Sequence, residues 1–247
     1  MDFYKQIFKR KSFHHFRNTR PITAEELKST ERFIKSLTPL KDDIKTEVKI
    51  VSQNETSCKR GAKYCILFYS ENKAGFLQNI GYMGEQADLY LVSRSIGTLW
   101  YGIGKPKEMK CNGLDFVIMI AVAGVSEEGF RKDMFKAKRL PLCETWCGET
   151  LEAGEISRFA PSACNTQPRR TECSGGKILV SKCKNPGKKG IMPAARVSYY
   201  NSIDMGIYLF ILEICLKHDG FNFKRTLLCS LSNDVELEPT AEYELPK

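Results

Sequence analysis

Several things are missing from this 247-residue chain, and each absence narrows what it can be. No run of about 18 apolar residues occurs, so no segment reads as a membrane span. The opening MDFYKQIFKRKSF carries no apolar signal-peptide core, and the expectation is a cytoplasmic protein without a membrane partner. Ten cysteines are present, yet none form a CxxC pair, which argues against a zinc site. Histidine is scarce, with only His14, His15 and His218. Neither a GxSxG nor an HExxH pattern occurs, so a serine-nucleophile or zinc-hydrolase reading has no footing.

What is present fits a folded protein. A hydrophobic content of 42% over this length can bury a substantial core. Several cysteines lie in apolar runs, such as Cys65 in YCILFY and Cys215 in LEICL, where a free thiol behaves as a small hydrophobe. The net charge of +9 gathers in KRKSFHH, in RKDMFKAKR and between Arg169 and Arg196. A nucleic-acid surface is one reading of such clusters, but RNA- and DNA-binding signatures are lacking and small anionic ligands account for them as readily.

Periodicity predicts a short helix in DFYKQIFKRKS and a second in ITAEELKSTERFIKSL, capped by Thr23 with Glu26 and closed by Pro39. TEVKIV, YCILFY and FVIMIAVAG read as strands. A long helix is expected from about Tyr82, ended by Gly97; another follows in TLEAGEISRFA before Pro161. After a strand at KILVSKC comes the helix NSIDMGIYLFILEICLKH, ending near Gly220. ADLYLVSRSIGTLWYG and MGIYLFILEICLKHDG share an aromatic-aliphatic pattern with a terminal glycine. Chance similarity between buried helices and an internal duplication both explain it.

Three segments carry chemistry. Arg10, Lys11, Ser12 and His14 at a helix end offer the charge-assisted donors and the hydroxyl that a phosphate accepts from. KAKRLP places Lys138 and Arg139 in a second basic turn. In APSACNTQP, Pro161, Ser162 and Ala163 give a stiff small-residue backbone, while Asn165 and Gln167 add amide donors and acceptors suited to a flat heteroaromatic edge.

These segments resemble the nitroreductase family. RKSFHHF is similar to its Arg-Arg-Ser-x-Arg-x-Phe opening, and APSACNTQP to its Ala-Pro-Ser-x-x-Asn-x-Gln-Pro loop. GEQADLYLVSRSIGTLWYG resembles the central helix and KRLPL the basic turn. The resemblance implies an α+β sandwich, with a central, mostly antiparallel sheet flanked by helices. It implies flavin mononucleotide (FMN) as cofactor, with NAD(P)H and a small electron-poor acceptor such as a nitroaromatic or quinone as substrates. Arg10, Lys11 and Ser12 with Arg139 would hold the phosphate. Ser162, Asn165 and Gln167 would line the ribityl chain and ring, and Gly102 and Gly104 would give backbone contacts. Alternatives in other classes are a non-catalytic flavin carrier or sensor and a basic nucleic-acid-binding protein.

The chain departs from the family pattern in three ways. His14 replaces an arginine, leaving the phosphate site one fixed charge poorer. Arg169 replaces a tryptophan, which points to a cationic corner of the pocket and a more anionic substrate. The APSACNTQP loop follows the central helix instead of preceding it. That order suggests one domain over 1–247, or two fused halves of about 1–145 and 146–247. The assembly would be a homodimer or a pseudo-dimeric monomer.

Overall fold

A computed structural model describes residues 2–187, 190–228 and 236–245. It divides into two compact units, Met1–Met134 and Phe135–Lys247.

The first unit opens with helix α1 (Tyr4–Lys9) and helix α2 (Ala24–Ile34). The Thr23 hydroxyl accepts from the Glu26 N–H and the Glu26 carboxylate accepts from the Thr23 N–H, completing the expected capping box. The helix stops at Ile34, before Pro39 can act. Strands β1 (Thr46–Ser52) and β2 (Tyr64–Ser70) follow, then helix α3 (Phe76–Ser93). Strands β3 (Ile96–Trp100), β4 (Lys110–Cys111) and β5 (Leu114–Gly124) complete the unit. The sheet runs β1-β2-β5-β3, with β4 also on β5, and every pairing is antiparallel.

Strand β2 and the middle of β5 are buried on both faces. Cys65, Leu67 and Tyr69 join Met119, Ala121 and Ala123 in one apolar cluster, and the alternate residues Ile66, Phe68, Ile118 and Ile120 are also buried. A sheet covered on both sides explains why these strands read as continuous apolar runs. The cluster holds Cys58, Cys65 and Cys111 as packing groups, and burial pushes the Cys65 thiol up to about 12, which makes it a poor nucleophile.

Helix α3 is buried on all sides from Asn79 to Val92, so its polar residues need partners. The Asn79 Oδ1 accepts from the Leu40 and Lys41 N–H groups at 2.7 and 3.0 Å. The Gln86 amide pairs both ways with the Thr38 backbone. Two expectations are corrected here. The helix begins six residues before Tyr82, and it ends at Ser93, where Ser95 turns the chain with a φ of 56°. Gly97 lies inside β3, and a Cβ there would stand 2.9 Å from the Phe13 ring, so its role is close packing instead of helix termination.

The second unit begins with the single turn α4 (Leu142–Thr145), strand β6 (Trp146–Gly148) and helix α5 (Glu152–Ser157). Strands β7 (Arg169–Ser174) and β8 (Lys177–Cys183) lead to helix α6 (Ala194–His218), then β9 (Lys224–Leu227) and β10 (Leu237–Glu244). The order is β6-β7-β8-β10-β9; β6 is parallel to β7 and the rest are antiparallel. Arg169, expected at a pocket corner, opens β7 with Arg170, and α6 starts seven residues before Asn201.

The units share one topology. A hairpin (β1-β2 or β7-β8) is followed by a long buried helix (α3 or α6). The next strand (β3 or β9) takes the sheet edge, and the last (β5 or β10) returns between it and the hairpin.

Candidate functional site

Two polar constellations, one in each unit, hold the residues that the sequence singles out. In the first, the chain leaves α1 at Arg10 in extended conformation. Ser12 forms a parallel bridge to Thr98 of β3, and the Phe13 N–H donates to the Thr98 carbonyl at 2.9 Å. This pairing fixes the direction of Arg10, whose guanidinium turns inward to Asp88 of α3.

Asp88 is the hub. Its Oδ2 accepts from the Arg10 Nε at 3.0 Å, from the other arm of the same guanidinium at 3.0 Å and from the Trp100 indole N–H at 2.9 Å. Its Oδ1 accepts from the Thr98 hydroxyl at 2.6 Å. Asp88 is fully buried and Arg10 nearly so. Burial works against the arginine's charge, but Asp88 and then Glu85 outweigh it and hold the guanidinium above its ordinary value.

Lys11 lies with its ammonium 4.8 Å from the Phe13 ring centre, and His14 is exposed. Arg131, which motif reading passed over inside the basic run RKDMFKAKR, donates its backbone N–H to the Lys9 carbonyl. Burial, and then the nearby charge of Arg10, push Arg131 below the ordinary arginine range. Past Trp100, Gly102 lies in a tight turn in which the Gly104 N–H donates to the Tyr101 carbonyl at 3.2 Å. A Cβ on Gly104 would meet Tyr101 at 2.5 Å and the Met119 sulfur at 2.7 Å, so this turn requires glycine.

The second constellation is built on the loop 160–168. Cys164, Asn165 and Gln167 have φ values of 48°, 57° and 52°. Left-handed backbone at non-glycine residues costs on the order of 1–3 kcal/mol each and clusters where structure serves function. The surroundings hold the loop in place. The Ala163 N–H donates to both oxygens of Asp204 on α6 at 3.0 Å, and the Thr166 hydroxyl donates to the Asn201 Oδ1 at 2.9 Å. Within the loop, the Gln167 N–H donates to the Ser162 hydroxyl at 3.0 Å.

The same loop grips the basic turn. One Arg139 arm donates to the Asn165 Oδ1 at 2.8 Å, and the other to the Phe159 carbonyl at 3.3 Å. The Asn165 amide donates to the Lys138 carbonyl at 3.0 Å, and the Gln167 Oε1 accepts from the Leu140 N–H at 2.9 Å. Lys138, Arg139, Pro161, Ser162, Ala163, Asn165 and Gln167 are therefore brought together as one assembly within this unit.

Arg169 departs from the expected cationic pocket corner. It is 1% exposed, donates to the carbonyls of Arg158 and Ala160, and lies 5.4 Å from the Tyr208 ring centre. Burial lowers its basicity to about 10. It braces the backbone that enters the loop and does not face solvent.

Burial also pushes Asp204 up to about 8, against the Ala163 N–H and the Arg169 charge, which favour ionisation. The folded state thus binds this proton more tightly than the unfolded chain, in which an aspartate titrates near 4. The stabilisation is present in full below that range and is lost as pH rises towards 8. Urea unfolding at several values between about pH 5 and 8 should show stability falling with pH, with a shallower slope in Asp204→Asn. An unchanged slope would mean that Asp204 is already ionised in the folded protein.

A family model described as "Putative TM nitroreductase" matches residues 2–215. The chain belongs to the nitroreductase family. The fold agrees with a solved "putative nitroreductase" from Thermotoga maritima, which is 18% identical and has a TM-score of 0.62 over 99% of this chain and 94% of that one. A nitroreductase family protein from Clostridium difficile aligns over 61% of this chain and all of its own, at 14% identity and a TM-score of 0.45. A "putative NADH dehydrogenase/NAD(P)H nitroreductase" from Parabacteroides distasonis aligns over 56% and 94%, at 13% identity and 0.42. No curated protein matches the chain. Membership of the nitroreductase family places the chain among the oxidoreductases. Among the described residues no helix is long and apolar enough to cross a membrane, and no group of three or more His, Cys, Asp or Glu could hold a metal ion.

Proposed function

We propose that the chain is an FMN-dependent oxidoreductase that uses NAD(P)H to reduce a small electron-poor acceptor. The observation that carries this reading is the loop 160–168, strained at three non-glycine residues and bound on one side to α6 and on the other to the basic turn at Arg139. Strain of this kind is kept where a backbone shape is needed for a ligand.

The donor set suits FMN. Lys11 and Ser12, with Arg10 held rigid by Asp88, supply cations and a hydroxyl for the phosphate; Arg131 adds a further charge beside Arg10. Lys138, Arg139 and Ser162 supply donors beside a small-residue backbone suited to a flat ring and its polyol chain, with Pro161 and Ala163 forming that backbone. Asn165 and Gln167 hold the basic turn against the loop and keep these donors in register. Gly102 and Gly104 give a turn through which backbone can approach a ligand. The chemistry that FMN supplies when bound is electron transfer from a nicotinamide nucleotide to the acceptor. The protein's part is to bind, orient and shield, and no side-chain proton donor is assigned. The repeated topology suits a pseudo-dimeric monomer; a homodimer of such chains is the other assembly compatible with this reading.

Fluorescence titration with FMN and with riboflavin, which lacks the phosphate, tests the cofactor and the cationic donors together. FMN should bind at least tenfold more tightly, the factor that about 1.4 kcal/mol of phosphate contact gives. Equal affinities would remove the phosphate role from these cations, and no binding of either would remove the flavin.

A further inference from the structure

One basic stretch is left over by the proposed cofactor chemistry. From Cys173 to Ile203 the sequence holds six cations and no carboxylate. Within this stretch Lys182 pairs with Glu238 at 3.0 Å, and Lys177 reaches Glu242 at 3.6 Å. Arg196, in the first turn of α6, is exposed and lies 5.7 Å from the Tyr199 ring centre. Tyr199 and Tyr200 are half-buried and pack edge to face at 5.3 Å.

The position of this group matters because α6 also carries the strained loop. Asn201 accepts from Thr166 and Asp204 accepts from Ala163. Arg196 precedes Asn201 by five residues, little more than one turn, and Tyr199 and Tyr200 directly precede Asn201. Cys164, at the crest of the loop, lies against the segment leading into α6, since a Cβ on Gly190 would come within 2.8 Å of the Cys164 Cβ. The loop is therefore flanked by an aromatic pair topped with a guanidinium and lacking any acidic residue in its own segment.

We infer that Arg196, Tyr199 and Tyr200 form the acceptor subsite, and that the preferred acceptor is an aromatic ring bearing an anionic group such as a carboxylate. The inference rests on the flavin reading of the loop and specifies the substrate class. An aromatic ring gains from edge or face contact with tyrosines, and a guanidinium offers a planar fork to a carboxylate. Arg169, to which the sequence points for an anionic preference, is buried; the exposed cation beside the tyrosines is Arg196.

The test compares two acceptors of the same shape and different charge, 4-nitrobenzoate and 4-nitrobenzamide. Their binding to the full chain is measured by calorimetry, with and without FMN, in wild type, Arg196→Gln and Arg196→Lys. Wild type should bind the benzoate more tightly. Arg196→Gln should weaken the benzoate about fivefold, the upper end for one exposed ion pair, leave the amide unchanged, and be partly rescued by Arg196→Lys. An Arg196→Gln variant that weakens both ligands alike, or neither, would overturn the inference. So would a loss that falls on NADH or NADPH while nitrobenzoate binding stays intact. If charge-selective binding persists but FMN does not bind, the cofactor reading has failed and the anion-selective subsite stands.

Discussion

Replacing Asp88 with alanine should lower the unfolding free energy by about 3–5 kcal/mol, the range for breaking a buried ion pair from one side. The carboxylate is fully buried and accepts from three side chains on two segments: Arg10 after α1, and Thr98 and Trp100 of β3. Its removal leaves a buried guanidinium, hydroxyl and indole N–H without their acceptor, and each lost acceptor adds a desolvation penalty. The double variant Arg10→Met, Asp88→Leu should recover much of the loss, because an apolar pair of similar volume replaces a charge pair with little net cost. Chemical denaturation checks both variants. A loss below about 1 kcal/mol in Asp88→Ala would place this site in the ordinary range of surface substitutions and would contradict the role of Asp88 as the hub.

The second large effect concerns Arg139. Its guanidinium reaches Asn165 and Phe159 and ties the basic turn to the strained loop. Arg139→Ala should weaken FMN binding by roughly 10- to 100-fold, the equivalent of losing one charge-assisted hydrogen bond. Lys138→Ala, on a side chain with exposed surroundings, should cost much less. Fluorescence titration of FMN measures both. Equal, small effects would show that the basic turn takes no part in holding the cofactor.

Much of the fold could be read from the sequence because the strongest signals were local. The Thr23–Glu26 capping box, the apolar run at FVIMIAVAG and the left-handed Gly220 after α6 are each decided by neighbouring residues. The failures came where tertiary contacts override local preference. Gly97 followed an apolar helical pattern and looked like a helix end, but the space beside Phe13 and Val125 is what demands a glycine there. Arg169 looked like a loop cation because two arginines follow Gln-Pro, yet it opens a buried strand and bonds to backbone carbonyls. One local signal was present and unused. Asn112-Gly113, with φ values of 50° and 82°, is the tight turn joining β4 to β5, and this dipeptide favours two-residue hairpins.

The candidate site was legible in parts. Asn165 and Gln167 are visible as amides in a stiff loop, but only the structure shows them bonded to the turn at 138–140. Asp88, Asp204 and Arg131 carry no motif. Their importance comes from burial and from partners distant in sequence, which a single chain read by spacing does not reveal.

The proposed function requires that this nitroreductase-family chain turn over a bound flavin. The most direct test is the visible absorption spectrum of the purified, FMN-loaded protein, followed without oxygen as NADH and then NADPH are added. A protein-bound oxidised-flavin band should bleach with at least one nucleotide and return when a nitroaromatic or quinone is supplied. A bound flavin that stays oxidised with both nucleotides would contradict turnover and indicate a carrier or sensor, and a protein that retains no flavin would contradict the cofactor itself.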